Sequence, residues 1–261
     1  MKKEVDFVVS NTYMSSFYAV LDKIAEITNK DKFQNIILVV PDKFSMNAEQ
    51  LIFEYLKTNS LFNVWTTTLS RLEKKVLLGY ENGLNVLTKQ SGTLLVGKIV
   101  LQNADKLLTY KKVCNQFAFA ENMFNTINLL KSSGITPDEL LLNIDNSNFG
   151  NKIKDIYTIY NEYEKALGKD NLDTVTRYEL FDKVSKNNNY IKNSDVFFAM
   201  FDSFTNAQIS LLTNLSQTAK SLTIGCCYNV LQGNKNIYDN VVFQRLNNAF
   251  ESCAIKTKIS F

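Results

Sequence analysis

The chain has 261 residues, 45% of them hydrophobic, with only two prolines and nine glycines. This composition allows one large domain or two smaller ones with real cores, and it excludes a disordered chain. The net charge of +3 is compatible with nucleic acid but does not indicate it. No apolar run approaches the ~20 residues of a membrane helix, and the apolar run near the N-terminus is too short for a signal peptide. We therefore expect a cytoplasmic protein without a membrane contact.

The chain contains no histidine, which removes Ser-His-Asp and Cys-His nucleophilic chemistry. The four cysteines are Cys114, Cys226, Cys227 and Cys253. Their spacing matches no zinc pattern, and the acidic residues Asp138, Glu139, Asp145 and Asp155 do not share a helix face. We therefore predict structural thiols, no metal site and no cofactor.

The N-terminal stretch predicts a strand, a polar loop and a helix. Val5–Val9 is apolar and β-branched, and from Phe17 to Ile27 apolar residues recur at helical spacing. A phosphate-binding loop would lie between such elements, and it needs glycines, a lysine and a hydroxyl residue. This loop has neither glycine nor lysine. An ordinary βα unit that never bound a nucleotide is therefore one open interpretation.

The alternation continues through the first eighty residues. Strands are predicted at Asn35–Val40 and Phe62–Thr68, and helices at Phe44–Lys57 and Leu69–Leu78. Strands that alternate with helices predict a parallel sheet covered by helices.

A purely helical pattern follows from Gly83 to about Asn189. Strand patterns return at Asp195–Phe201 and Ser221–Cys227, and Ala254–Phe261 is also strand-like. We therefore predict a discontinuous α/β domain at residues 1–82 and 190–261, with an inserted all-α subdomain at residues 83–189.

Two features of the helical segment have specific structural interpretations. Thr136 and Glu139 flank a proline in the pattern of a capping box, which predicts a helix start. Tyr157, Tyr160 and Tyr163 recur at helical spacing, and we interpret them as helix packing rather than a platform for stacking bases.

Five segments are distinctive in pattern and in order. They are IILVVPDKFSMNAEQLIFEYL (Ile36–Leu56), TTLSRLEKKVL (Thr67–Leu77), FAENMFNTINLLKSSGITPDEL (Phe119–Leu140), KIKDIYTIYNEYEKAL (Lys152–Leu167) and DVFFAMFDSFTNAQISLLTNL (Asp195–Leu215). Together they resemble the N-terminal part of the AddB family, the B subunit of a bacterial ATP-dependent helicase–nuclease that processes double-strand breaks. One departure is Lys43, which stands where that family usually has Gln.

The resemblance implies a P-loop-NTPase-like fold of the superfamily 1 helicase type, in which residues 83–189 are the helical insertion of the first motor domain. It also implies two partners, DNA (single-stranded or a duplex end) and an A-type subunit of the helicase–nuclease. The family's second helicase-like domain and its iron–sulfur nuclease domain have no counterpart in these residues. The chain stops at Phe261 as though cut from something longer.

The nucleotide site that the family has is degenerate here. Its glycine-rich loop corresponds to Ser10, Asn11, Thr12, Tyr13, Met14, Ser15, Ser16 and Phe17. Ser16 stands at the lysine and Phe17 at the magnesium-binding hydroxyl. Ala199 and Met200 stand where active helicases carry Asp-Glu, with Asp202 nearby. We therefore predict no catalytic residue, and neither ATPase nor nuclease activity in this chain.

The resemblance also implies DNA-facing loops after the second and third strands. The candidates are Asp42, Lys43, Phe44, Ser45, Thr66, Thr67, Ser70 and Arg71. Such loops contact phosphates and stack bases. The alternatives are that Phe44 packs under its helix and that Arg71 belongs to a solvated face. The leading hypothesis is a catalytically silent module that binds DNA and a motor partner. The others are a protein-interaction scaffold and an active ATPase with an unusual loop.

Overall fold

A computed structural model describes residues 4–58, 61–80, 83–142, 147–228 and 240–260. The chain forms two compact units. The first comprises Met1–Leu78, Phe181–Phe204 and Gln208–Phe261, and the second comprises Gly79–Leu180 and Thr205–Ala207. These bounds differ from the predicted boundaries at 82 and 190. Residues 81–82 lie outside the described residues.

Eight strands and eleven helices are described. The strands are β1 (Glu4–Ser10), β2 (Asn35–Val39), β3 (Val64–Thr67), β4 (Asn85–Val86), β5 (Asn171–Leu172), β6 (Ser194–Phe198), β7 (Ser221–Cys227) and β8 (Lys256–Ser260). The helices are α1 (Tyr13–Lys30), α2 (Ser45–Leu56), α3 (Leu69–Leu77), α4 (Lys89–Gln102), α5 (Phe117–Ser132), α6 (Pro137–Leu141), α7 (Asn148–Leu167), α8 (Thr174–Ser185), α9 (Asn189–Lys192), α10 (Asn206–Thr218) and α11 (Val241–Ser252). None of these described helices is both long and apolar enough to cross a membrane.

The first unit is built on a six-stranded sheet with the order β3-β2-β6-β7-β1-β8. Every neighbouring pair of strands is parallel. The predicted α/β fold with a parallel sheet is therefore confirmed. Because all six strands run the same way, the segments that follow them lie along one edge of the sheet.

Both faces of this sheet are covered, which explains its continuous apolar strands. On one face, α1 and α2 pack in a cluster that includes Val8, Leu21 and Ile52. On the other face, Phe7 makes edge-to-face contacts with Phe243 and Phe250 of α11. The second half of α8 belongs to this unit as well, where the Asn214 side chain of α10 donates a hydrogen bond to Asp182. The second unit therefore ends at Leu180 rather than near Asn189.

The second unit is mainly helical, but the prediction of an all-α subdomain is wrong. Asn85–Val86 and Asn171–Leu172 pair as a two-stranded parallel sheet. Two residues are too few to show an alternating pattern in the sequence, so no strand could be recognised there. The helical core contains Phe124, Tyr160 and Tyr163. This confirms the packing role predicted for Tyr160 and Tyr163, whereas Tyr157 is half-buried.

Buried carboxylates organise the second unit. Asp155 is 1% exposed and accepts hydrogen bonds from the backbone N–H groups of Leu108 (2.8 Å), Thr109 (2.8 Å) and Tyr110 (3.0 Å). The capping box of Thr136 and Glu139 is formed as predicted.

A second carboxylate, that of Asp173, lies 2.6 Å from the Lys131 ammonium and accepts a hydrogen bond from the Tyr163 hydroxyl. Burial opposes ionisation of Asp173, but the bonds from Lys131 and Thr176 outweigh it and hold its pKa below the usual value. These carboxylates are therefore structural anions with internal partners.

Candidate functional site

The carboxyl edge of the six-stranded sheet brings together the segments that the sequence predicted as the nucleotide-site remnant and the DNA-facing loops. Val39 of β2 is paired with Thr67 of β3 on one side and with Phe198 of β6 on the other. One strand, β7, separates β6 from β1. The degenerate loop after β1, the degenerate acidic motif after β6 and the candidate DNA-facing segments after β2 and β3 therefore share one edge.

The loop after β1 is shorter than the predicted segment Ser10–Phe17. Only Asn11 and Thr12 separate β1 from α1, because the helix begins at Tyr13. Thr12 caps the helix, and its Oγ1 accepts a hydrogen bond from the Ser15 N–H at 3.0 Å. This cap occupies a helix N-terminal N–H that could otherwise bind an anion.

Ser16, at the lysine position, lies in the interior. It is 4% exposed, and its hydroxyl donates a hydrogen bond to the Val8 carbonyl at 3.3 Å. Gly225 of β7 makes room for it, because a Cβ atom at that glycine would lie 2.9 Å from Ser16 Oγ and 3.1 Å from Val20 Cγ2. The side chain therefore points back toward the sheet and cannot reach a phosphate beyond the edge.

The other degenerate positions meet in apolar surroundings. Phe17, at the magnesium-hydroxyl position, and Ala199, at the first acidic position, are buried in the same cluster. Met14, Phe44 and Met200 pack against that cluster. Met200 also has a left-handed backbone with φ of 67°. The fold thus brings Phe17, Ala199 and Met200 together, and these three side chains carry no oxygen or nitrogen atom that could bind magnesium or a phosphate.

A tyrosine–aspartate pair joins the two degenerate motifs. The Tyr13 hydroxyl is hydrogen-bonded to Asp202, and this bond, with burial and the negative charge of Asp202, raises the pKa of Tyr13 to about 12. The two side chains help to line a cavity of about 40 Å³ with Gly225, Cys227 and Asn240. Ligand pockets usually measure about 300–1,000 Å³, so this cavity, as the described residues form it, has space for a water-sized molecule.

The neighbouring thiols are not activated. Burial raises the pKa of Cys226 to about 12. Burial and the Asp202 charge also raise the pKa of Cys227. Both thiols are therefore protonated near neutral pH. Within the described ranges, no three Cys, Asp or Glu side chains come together in a way that could hold a metal ion.

The candidate DNA-facing residues divide into exposed and buried groups. The exposed ones are Asp42, Lys43, Ser70 and Arg71. The buried ones are Ser45 (7% exposed), Thr66 (9%) and Thr67 (0%). Phe44 is half-buried, and its ring packs edge to face against Phe17. Of the exposed four, Lys43, Ser70 and Arg71 have side chains that can donate a hydrogen bond to a phosphate, whereas the Asp42 carboxylate would repel it.

Lys43 and Arg71 are the cations of this edge. Lys43 belongs to a turn of 3-10 helix, Asp42–Phe44. Arg71 lies in the first turn of α3, which Thr68 caps. Within the described part of the chain, neither side chain forms an ion pair.

Lys75 is a third basic residue of α3, but it has an internal role that the sequence did not reveal. Its ammonium lies 4.1 Å from the ring centroid of Trp65 and 3.9 Å from that of Tyr190. Burial between the rings lowers the pKa of Lys75. Tyr190 is far from Trp65 in the chain, so no local pattern could have indicated this cation–π contact.

Comparison with known proteins identifies a family that the chain matches and several relatives to which it is similar. The family model described as "ADDB, N-terminal" matches residues 7–257. The B subunit of the ATP-dependent helicase/deoxyribonuclease from Clostridium novyi is 28% identical over 220 residues, which are 82% of this chain and 19% of that protein. The protein of the same name from Clostridium kluyveri is 27% identical over 214 residues (80% and 18%). The one from Lachnoclostridium phytofermentans is 22% identical over 253 residues (92% and 21%). The chain spans about a fifth of the length of these relatives.

Proposed function

The chain belongs to the AddB family, whose N-terminal region it matches over residues 7–257, and from this premise we propose that it is a catalytically silent helicase-like module. In this proposal it binds DNA, either single-stranded or at a duplex end, together with an A-type motor subunit, in double-strand-break repair. The sheet is the P-loop-NTPase-like core of a motor domain, and the second unit is its insertion.

One observation carries the proposal of catalytic silence. The positions at which a motor holds a lysine, a magnesium-binding hydroxyl and two acids lie together at the edge of the sheet. They are occupied by Ser16, Phe17, Ala199 and Met200, and the last three pack in or against one apolar cluster. ATP hydrolysis depends on positioned positive charge and magnesium, and none of these side chains offers either.

The DNA-binding proposal is supported by two exposed cations in the segments that follow β2 and β3. Lys43 and Arg71 follow neighbouring paired strands and are exposed. Cations placed side by side suit the phosphates of one DNA strand. The few exposed basic residues here predict a weak contact that other parts of the complex would strengthen.

The experiment is fluorescence anisotropy with a DNA duplex that carries a single-stranded tail. It is titrated at two salt concentrations, with and without ATP–magnesium. We expect the affinity for DNA to fall as the salt concentration rises, because phosphate contacts release counterions. We also expect this affinity to be the same with and without ATP–magnesium. Turnover of ATP by the pure protein, or an affinity that ATP changes, would overturn the proposal of catalytic silence.

A protein-interaction scaffold without DNA contact is the second candidate, and one observation favours it. On the second unit, helices α4 and α5 border a largely apolar groove of about 440 Å³. Leu94, Leu101 and Phe117 line this groove and are each more than half exposed. Exposed apolar surfaces of this kind often mark protein contacts. Absence of DNA binding at low salt would favour this candidate.

A further inference from the structure

We infer that Phe17 is a positioning residue for the DNA-facing turn Asp42–Ser45. The inference rests on the proposed function, because it names the residue that sets the geometry of the proposed DNA contact. The observation is an aromatic contact between the two ends of the edge. The rings of Phe17 and Phe44 meet edge to face, with centroids 5.2 Å apart and an interplanar angle of 88°.

Phe44 anchors the turn on which Lys43 stands. Its N–H donates a hydrogen bond to the Pro41 carbonyl at 2.9 Å. The Ser45 hydroxyl closes the same turn with a hydrogen bond to the Asp42 carbonyl at 3.0 Å. Phe44 is the hydrophobic side chain of this turn, and it packs against the core cluster. The position of the exposed Lys43 therefore depends on where the Phe44 ring is held.

Phe17 can hold that ring because it cannot itself move freely. It is fully buried, and Ser16 beside it is tied to Val8 of β1. The body of α2 has contacts of its own, since Ala48 and Ile52 are buried in the cluster to which Phe17 also belongs. Loss of the Phe17 ring edge should therefore loosen the turn without releasing α2.

Phe17, which the resemblance aligns with a magnesium-binding hydroxyl, thus has a structural role instead. It connects the segment after β1 to the segment after β2 through a permanent apolar contact. The turn is then held in one conformation whether or not a nucleotide is present.

The test compares Phe17→Leu with Phe243→Leu in the full chain. Phe243 is the matched control, because it is also fully buried and meets Phe7 edge to face at 4.8 Å on the other face of the sheet. Amide hydrogen exchange is measured at Phe44 and Ser45 and, as an internal reference, at Thr223 of β7. We expect Phe17→Leu to raise exchange at Phe44 and Ser45 by about tenfold more than at Thr223, as local opening does.

A second readout separates positioning from general destabilisation. If Phe17 positions Lys43, then Lys43→Glu weakens DNA binding less in the Phe17→Leu background than in the wild type, whereas in the Phe243→Leu background its effect is unchanged. Equal exchange increases in the two phenylalanine variants would overturn the inference, as would full additivity of Phe17→Leu and Lys43→Glu. If the wild type binds no DNA, the proposed function fails, and the exchange comparison still decides whether Phe17 holds the turn.

Discussion

The segments at the carboxyl edge of the sheet differ in exposure: those after β1 and β6 pack internally, whereas those after β2 and β3 carry exposed cations. After β1 and β6, the side chains at nucleotide-site positions have internal partners, as Ser16, Phe17 and Tyr13 show. After β2 and β3, Lys43 and Arg71 remain exposed. Exposed cations contribute little to stability, whereas buried apolar contacts contribute much. The end after β1 and β6 is therefore part of the core, and the end after β2 and β3 is exposed to solvent.

The largest effect is expected from placing the residues of an active motor at positions 16 and 17. We expect Ser16→Lys combined with Phe17→Thr to lower the free energy of unfolding by about 5 kcal/mol, because it removes a buried aromatic ring and adds an unpaired ammonium. ATP turnover should stay absent, since Ala199 and Met200 still offer no ligand for magnesium. Urea denaturation and a phosphate-release assay measure the two effects. A stable variant that hydrolyses ATP would contradict this account of the site.

The opposite end is tested by reversing its charges. We expect Lys43→Glu combined with Arg71→Glu to weaken DNA binding by about a hundredfold at low salt, about 2.7 kcal/mol, with little change in the melting temperature. The matched control is Lys30→Glu combined with Lys32→Glu. It changes the net charge equally at exposed residues that precede β2, at the other edge of the sheet. Equal losses of affinity in the two variants would show that only net charge matters.

The sequence predicted the sheet better than the site. It predicted β7 at the residues where it lies, Ser221–Cys227, because parallel buried strands are continuous apolar runs. The family resemblance singled out positions 16, 17, 199 and 200, and the fold places Phe17, Ala199 and Met200 in or against one apolar cluster. The sequence predicted a loop where α1 begins at Tyr13, although Thr12, three residues before Ser15, was a local signal for a helix cap.

Contacts between distant segments could not be predicted. Tyr13 and Asp202 lie in different βα units, and so do Trp65 and Tyr190. No periodicity within one element indicates which polar or aromatic side chains will meet across a sheet edge. Among the DNA-facing candidates, Thr66 and Thr67 are buried, because they belong to strand β3 of the sheet. Lys43 and Arg71 are exposed, because they belong to the turn after β2 and the helix after β3.

A smaller effect on the free energy of unfolding is expected from a substitution in β7 that faces Ser16. Gly225→Ala places a methyl group against Ser16 Oγ, so α1 must shift or tilt. We expect a loss of about 2 kcal/mol in the free energy of unfolding, as overpacked cores show. In the Ser16→Ala background the same change should cost less, because the closest atom is gone. Strict additivity of the two changes would mean that α1 and β7 are not in close contact there.

The smallest predicted effect is that of Tyr13→Phe, which removes the bond to Asp202. Because Tyr13 is 40% exposed, we expect a loss of at most about 1 kcal/mol in the free energy of unfolding at neutral pH. The pKa of Tyr13 is raised in the folded protein to about 12, so the protonated phenol is the stabilising form. Its contribution is complete below the ordinary tyrosine pKa of about 10 and is lost as the pH rises through 12. Urea denaturation at pH 7 and at increasing alkaline pH should therefore show the difference between wild type and variant shrinking, while Tyr18→Phe, a hydroxyl removed from the same helix, is the control. A difference that grows with pH would mean that ionised Tyr13 is the form the fold prefers, and that the Asp202 contact does not close this end of the edge.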